Sequence, residues 1–159
     1  MMKVSIHCKK IVLSAPGEPE VVVIPSPPKL GSSLAAGMDL QCLTDFTVEP
    51  GAKSVVETGL IVKPPRGYCT LILSRSGLAA KHQIQVLNAP GLIDRDYCGP
   101  NDTIKVILKN HGGEPVDFKA GDRVAQLLFV QYETADWVVE TDPNFARGED
   151  RGGLGSTGA

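Results

Sequence analysis

The stretch NAPGLIDRDYCGP, residues 88–100, sets two acids and a tyrosine directly behind a short apolar run. Asn88, Pro90 and Gly91 suit a plain hairpin turn. Such a turn needs neither Asp94, next to Leu92 and Ile93, nor Asp96 and Tyr97. A carboxylate with a pKa near ~4 is ionised at neutral pH, so it can orient a water and take its proton.

Four other stretches carry groups suited to anions or to polar recognition. In SRSGLAAKH (74–82), Arg75 offers a planar fork of donors, Ser76 a hydroxyl, and Gly77 close backbone approach. At the start of a helical turn this forms a phosphate cradle; the alternative is a helix cap beside a solvated arginine. Asp39 follows Gly37 in AAGMDL (35–40), where a turn aspartate is the plain alternative. Gln126 sits among Val124, Ala125, Leu127 and Leu128 in AGDRVAQLLF (120–129), so a buried amide there requires a partner, structural or ligand. GLGSTG (153–158) matches a dinucleotide-binding glycine pattern but follows no strand and opens no helix. Its backbone, with Arg151, Ser156 and Thr157, instead offers donors able to close over phosphates.

Short extended elements must position these groups. VVVI (21–24), DLQCLTDFTV (39–48), SVVETGLIV (54–62) and YCTLILS (68–74) read as strands between turn formers. DTIKVILKN (102–110) alternates, with Ile104, Val106 and Leu108 on one face and Lys105 and Lys109 on the other. The stretch at 122–142 reads as two strands: Val124, Leu128, Val130 and Tyr132 share a face, and ETAD turns the chain before WVV. Only GLAAKH (77–82) suggests a helical turn. About ten short strands without long helices imply an all-β, jelly-roll-like barrel or sandwich. Residues 1–143 would form this domain, and the glycine-rich residues 144–159 a flexible tail.

Composition narrows the class further. A chain of 159 residues with 42% hydrophobic residues suits one domain, and its net charge of -2 gives no general pull toward nucleic acid or membrane lipid. Cys8, Cys42, Cys69 and Cys98 form no C-x-x-C, and His7, His82 and His111 lack metal-ligand spacing. Reduced thiols and a cytoplasmic location follow as expectations. The start, MMKVSIHCKKIVL, is broken by lysines and does not read as a signal peptide. No apolar run reaches the ~20 residues a membrane helix needs.

Taken in order, AAGMDL, SRSGLA, NAPGLIDRDYCG, GDRVAQLLF and GGLGSTG resemble the five motifs of the trimeric dUTPases. The resemblance implies a jelly-roll subunit, a homotrimer with active sites shared between subunits, and hydrolysis of dUTP to dUMP and pyrophosphate with Mg2+. It makes Asp94 the catalytic base and packs Tyr97 on the deoxyribose. Asn88, Gly91, Leu92 and Ile93 belong to the hairpin that reads uracil. Arg75, Ser76, Gly77 and Gln126 contact phosphates, and Asp39 reaches the Mg2+ shell through water. Leu154, Gly155 and Ser156 lie in a tail that closes over the nucleotide. Asp96 is left to hairpin structure.

Several positions depart from the motifs. Glu149 occupies the place of the usual tail arginine, with Arg147 two residues early and Arg151 two late; Arg147 is favoured, by way of a loop bulge. Cys98 and a longer PNDT turn follow Tyr97, and Met38 replaces a more usual residue. The odd tail keeps open a non-catalytic dUTP-sensing or protein-binding trimer, and the shared fold keeps open a dCTP deaminase. Leu154 stands where the family stacks a phenylalanine on uracil, a contact worth ~1–3 kcal/mol. Leu154→Phe should therefore lower KM for dUTP; an unchanged KM would show that the tail does not stack.

Overall fold

Turn formers cut the chain before any long element can grow. The computed structural model, which describes residues 3–13, 21–142 and Phe145, holds short strands and one helix. The first strands are β1 (Ser5–Cys8), β2 (Ile11–Leu13), β3 (Val21–Val23), β4 (Lys29–Leu30) and β5 (Met38–Gln41). Then come β6 (Phe46–Val48), β7 (Lys53–Glu57), β8 (Leu60–Lys63) and β9 (Tyr68–Leu73). The helix α1 (Ser76–His82) leads to β10 (Ile84–Val86), β11 (Gly91–Ile93), β12 (Lys105–Asn110), β13 (Val116–Phe118) and β14 (Arg123–Gln131). Among the described residues no helix is long and apolar enough to cross a membrane.

A five-stranded antiparallel sheet, in the order β11-β9-β14-β5-β4, faces a three-stranded one, β10-β12-β7. The pairs β1-β8, β13-β6 and β2-β3 complete a sandwich rather than a closed barrel. One apolar cluster joins Leu40, Ile72 and Leu127 from the larger sheet to Ile84, Val106 and Leu108 from the smaller. β12 follows its expected alternation, with Val106 and Leu108 buried and Lys105 turned outward.

Two expected strands are each divided. Gly59, at φ +65, ends β7 and starts β8 within 54–62; a Cβ there would meet the Pro25 side chain at 2.9 Å. Within 39–48, residues 42–45 form a corner held to the turn at Lys119–Ala120. The Cys42 thiol donates to the Lys119 carbonyl, and burial pushes its pKa up. Asp45 accepts from the Ala120 N–H and from Lys119 Nζ, both at 2.8 Å, and the Lys119 ammonium holds its pKa below the usual carboxylate value.

The stretch 122–142 departs most from the expectation. One strand, β14, ends at Gln131, and no second strand follows through residue 142. Trp137 is 94% exposed, and Val138 and Val139 nearly as much, so WVV lies against no described partner strand. The expected face is also wrong. The register shifts between Arg123 and Ala125, which reverses the alternation, so Ala125, Leu127 and Phe129 turn to the core in place of Leu128 and Val130.

Asn110, fully buried at the end of β12, ties the core to its loops. Its amide donates to the Val48 carbonyl at 2.9 Å and the Glu114 carbonyl at 2.8 Å, and its Oδ1 accepts from the Gly112 N–H. Removing the side chain strands all three backbone groups, each costing about 1–3 kcal/mol when left unpaired. Some of that loss is recovered by water, so Asn110→Ala should destabilise by about 3 kcal/mol. A denaturant midpoint within error of wild type would refute this role.

Candidate functional site

The first cluster forms where three strands come into one row. β14 lies between β5 and β9, so Gln126 pairs with Asp39 on one side and Leu73 on the other. Leu73 runs into Ser74 and Arg75, which delivers the arginine to the same end of the sheet. Gln126 donates to the Ser74 carbonyl at 3.0 Å, so the amide has a structural partner. Gly37 makes room for it: a Cβ at that position would lie 2.6 Å from Gln126 Oε1.

Asp39 is gripped by two guanidinium groups. Arg75 Nε donates to Oδ1 at 2.9 Å, and Arg123 Nη1 donates to Oδ2 at 3.2 Å. Arg75 Nη1 also donates to the Arg123 carbonyl at 3.0 Å. Arg75 thus sits just before α1 in extended backbone and makes no side-chain cap. Ser76 and Gly77 are exposed, with open space where a Gly77 Cβ would lie. Lys29 stands opposite Asp39 across β4 and β5, and both line a cavity of about 350 Å³ with Arg123 and Gln41.

The second cluster is the hairpin. β11 pairs with β9 through Gly91↔Ile72, Leu92↔Leu71 and Ile93↔Thr70, and Ala89–Pro90 is cis. The Asn88 side chain folds over Gly91, where a Cβ would approach Asn88 Nδ2 to 3.2 Å. Asp94, exposed just past β11, lines a cavity of about 590 Å³ with Arg66, Arg95, Asp96, Tyr132 and Glu133. Tyr97 donates to the Thr103 carbonyl at 3.5 Å and leaves 38% of its surface open. The hairpin bonds at this corner go to the Asp94 and Asp96 carbonyls, and Asp96 also lines the cavity. The PNDT turn lies outside this cavity, closed by the Gly99 N–H on Asp102 at 2.7 Å.

Within one chain the clusters do not meet. Ile93 lies three rows beyond the Gln126 row and two strands across, and Asp94 comes one residue later, so Asp94 lies roughly 15 Å from Gln126. Side chains set that far apart do not touch, so inside a single chain only a molecule long enough to span them could meet both clusters. Asn88, Gly91, Leu92, Ile93, Asp94 and Tyr97 form one half; Asp39, Arg75, Ser76, Gly77 and Gln126 form the other. Arg147, Arg151, Leu154, Gly155 and Ser156 lie outside the described residues.

Arg123, Lys29, Arg66, Arg95 and Glu133 escaped the sequence reading. Arg123 lay inside a stretch already singled out, and its charge three residues before Gln126 was the available signal. Lys29 needed the β4–β5 register, and Arg66 and Glu133 meet Asp94 only through the fold. No group of three or more metal-ligating side chains occurs among the described residues.

A family profile described as dUTPase matches residues 25–158. Deoxyuridine 5'-triphosphate nucleotidohydrolase from Dictyoglomus turgidum is 46% identical over 136 residues, covering 82% of this chain and 89% of that protein. The protein of the same name from Solibacter usitatus is 41% identical, covering 80% and 84%. Among solved structures, the dUTPase of Streptococcus mutans superposes with a TM-score of 0.65 at 31% identity, over 69% of this chain and 88% of that one.

The Gly37–Gln126 contact can be tested without a ligand. The clashing atom is the far end of a flexible side chain, so Gly37→Ala should cost at most about 1 kcal/mol of stability while moving the Gln126 amide. A side-chain amide NMR signal of Gln126 unchanged by Gly37→Ala would refute the contact.

Proposed function

The chain belongs to the dUTPase family, and from that premise we propose that it hydrolyses dUTP to dUMP and pyrophosphate, with Asp94 preparing the attacking water. The supporting observation is the division just described. One cluster carries a carboxylate beside the hairpin, with Arg66 and Arg95 lining the same cavity, and the other carries arginine, amide and hydroxyl donors roughly 15 Å away.

A homotrimer completes the site, with the hairpin of one copy facing the cationic end of another. The consecutive exposed side chains of Trp137, Val138 and Val139 support such an assembly, because contiguous apolar surface favours a partner. The hairpin recognises the base. Uracil presents an acceptor at O4 and a donor at N3, whereas cytosine reverses both, so fixed backbone groups at Gly91–Ile93 leave dCTP with unpaired atoms. Asn88, folded on Gly91, helps hold the base. The Tyr97 ring, tethered by its hydroxyl, packs against C2′ and clashes with a ribose.

Arg75, Ser76, Gly77 and Gln126 hold the phosphates, and the tail with Arg147, Leu154, Gly155 and Ser156 closes over them. Mg2+ carried on the triphosphate fits this donor set. It needs hard oxygen ligands, largely phosphate and water, and each oxygen of the Asp39 carboxylate keeps a lone pair beyond its arginine bond for a water of that shell. When bound, the ion neutralises phosphate charge that would repel an attacking water. Asp94 then takes a proton from water lined up behind the α-phosphorus, and pyrophosphate leaves on the opposite side. A cytoplasmic location accords with cysteines that form no C-x-x-C pair.

General base catalysis contributes ~10²–10⁴-fold, so Asp94→Asn should raise the barrier by about 3–5 kcal/mol while dUTP binding stays near normal. Pyrophosphate release from dUTP and Mg2+ measures this. Full turnover by Asp94→Asn would take the base role from Asp94, and no release by wild type would remove the dUTPase reading.

A further inference from the structure

Resting on the dUTPase reading, we propose that Arg123 is a positioning residue for the phosphate half of the site: it fixes Asp39, and Asp39 fixes the guanidinium fork of Arg75. Asp39 is a bridge rather than a free carboxylate. One oxygen accepts from Arg75 at 2.9 Å and the other from Arg123 at 3.2 Å. Arg123 holds Arg75 a second time, through its own carbonyl, which accepts from Arg75 Nη1 at 3.0 Å. That carbonyl belongs to the residue where β14 shifts register, from Arg123↔Gln41 to Ala125↔Leu40. The bulge therefore places the carbonyl of Arg123 on Arg75 and its side chain on Asp39.

The donors divide accordingly. A guanidinium has five N–H groups. Arg75 spends one on Asp39 and one on the Arg123 carbonyl, leaving its outer Nη1 and Nη2 edge for a phosphate. The two side chains also differ in place: Arg75 is 23% exposed and Arg123 57%, so Arg75 is the inner group and Arg123 the outer brace. Two guanidinium groups around one carboxylate keep this end of the sheet cationic, and Lys29 opposite Asp39 adds to it. A phosphate can thus engage Arg75 without breaking the Asp39 bridge. Holding the fork in advance lowers the ordering cost of binding.

The consequence is a phosphate grip that works without metal. The test is equilibrium binding of the α,β-imido analogue of dUTP to the full chain by calorimetry, in EDTA and in Mg2+, with dUMP as control. Arg123→Gln should weaken the analogue about tenfold in both conditions while leaving dUMP, which lacks the outer phosphates, unchanged. Arg123→Lys, which keeps one donor for Asp39, should recover part of the loss. Because Arg123 acts through Asp39, adding Arg123→Gln to Asp39→Asn should weaken binding little further. Unaltered analogue binding in Arg123→Gln overturns the proposal, as does equal loss of dUMP, a loss confined to Mg2+, or full additivity in the double variant. Those results leave the dUTPase reading intact if wild type still turns over dUTP; a wild type that neither binds the analogue nor hydrolyses dUTP removes both.

Discussion

β14 lies between β5 and β9 in a register set by one irregularity, between Arg123 and Ala125. The alternation of a strand has a period of two, so a single extra residue exchanges its faces. Beyond that point Ala125 and Leu127 enter the core, and Gln126 projects between Asp39 and Leu73. Without the shift the same residues would turn Leu127 to the outer face and Gln126 to the interior. The core and the polar cluster therefore depend on the same backbone event.

Two kinds of support hold this arrangement in place. Apolar packing between the sheets is broad and tolerant of detail. The polar ties are few and directional: Asn110 joins β12 to the end of β6 and to the loop at 111–114, and Asp45 fixes the corner after β5 to the turn before β14. That second tie matters for the site, because the turn at Lys119–Asp122 delivers Arg123 to Asp39. A buried polar group such as Asn110 specifies one arrangement where apolar contacts alone would accept several.

If the two clusters serve one substrate, as proposed, the chain has a physical reason to associate. The hairpin sets the Asp94 carboxylate in an open cavity, while the arginines of the Asp39 cluster lie at the other end of the sheet. That cluster offers cations but no free base, since its one carboxylate is already bridged. Association would join complementary halves and cover exposed apolar side chains in one step. WVV at 137–139, whose β-branched pair was read as a strand, faces solvent in this chain.

The chain by itself determined the all-β class, the short helix after Arg75 and the outward lysines of β12, because period and turn chemistry are local properties. The residues of the five motifs also carried the family. Where strands broke was less legible: Gly59 and the corner at 42–45 interrupt runs whose composition reads as continuous, because the breaks answer to Pro25 and to the Lys119 turn, distant in sequence. The face of β14, the Arg123–Asp39–Arg75 bridge and the separation of Asp94 from Gln126 were decided by tertiary structure alone. Each depends on register between strands far apart in the chain, and a shift of one residue changes which side chains can touch.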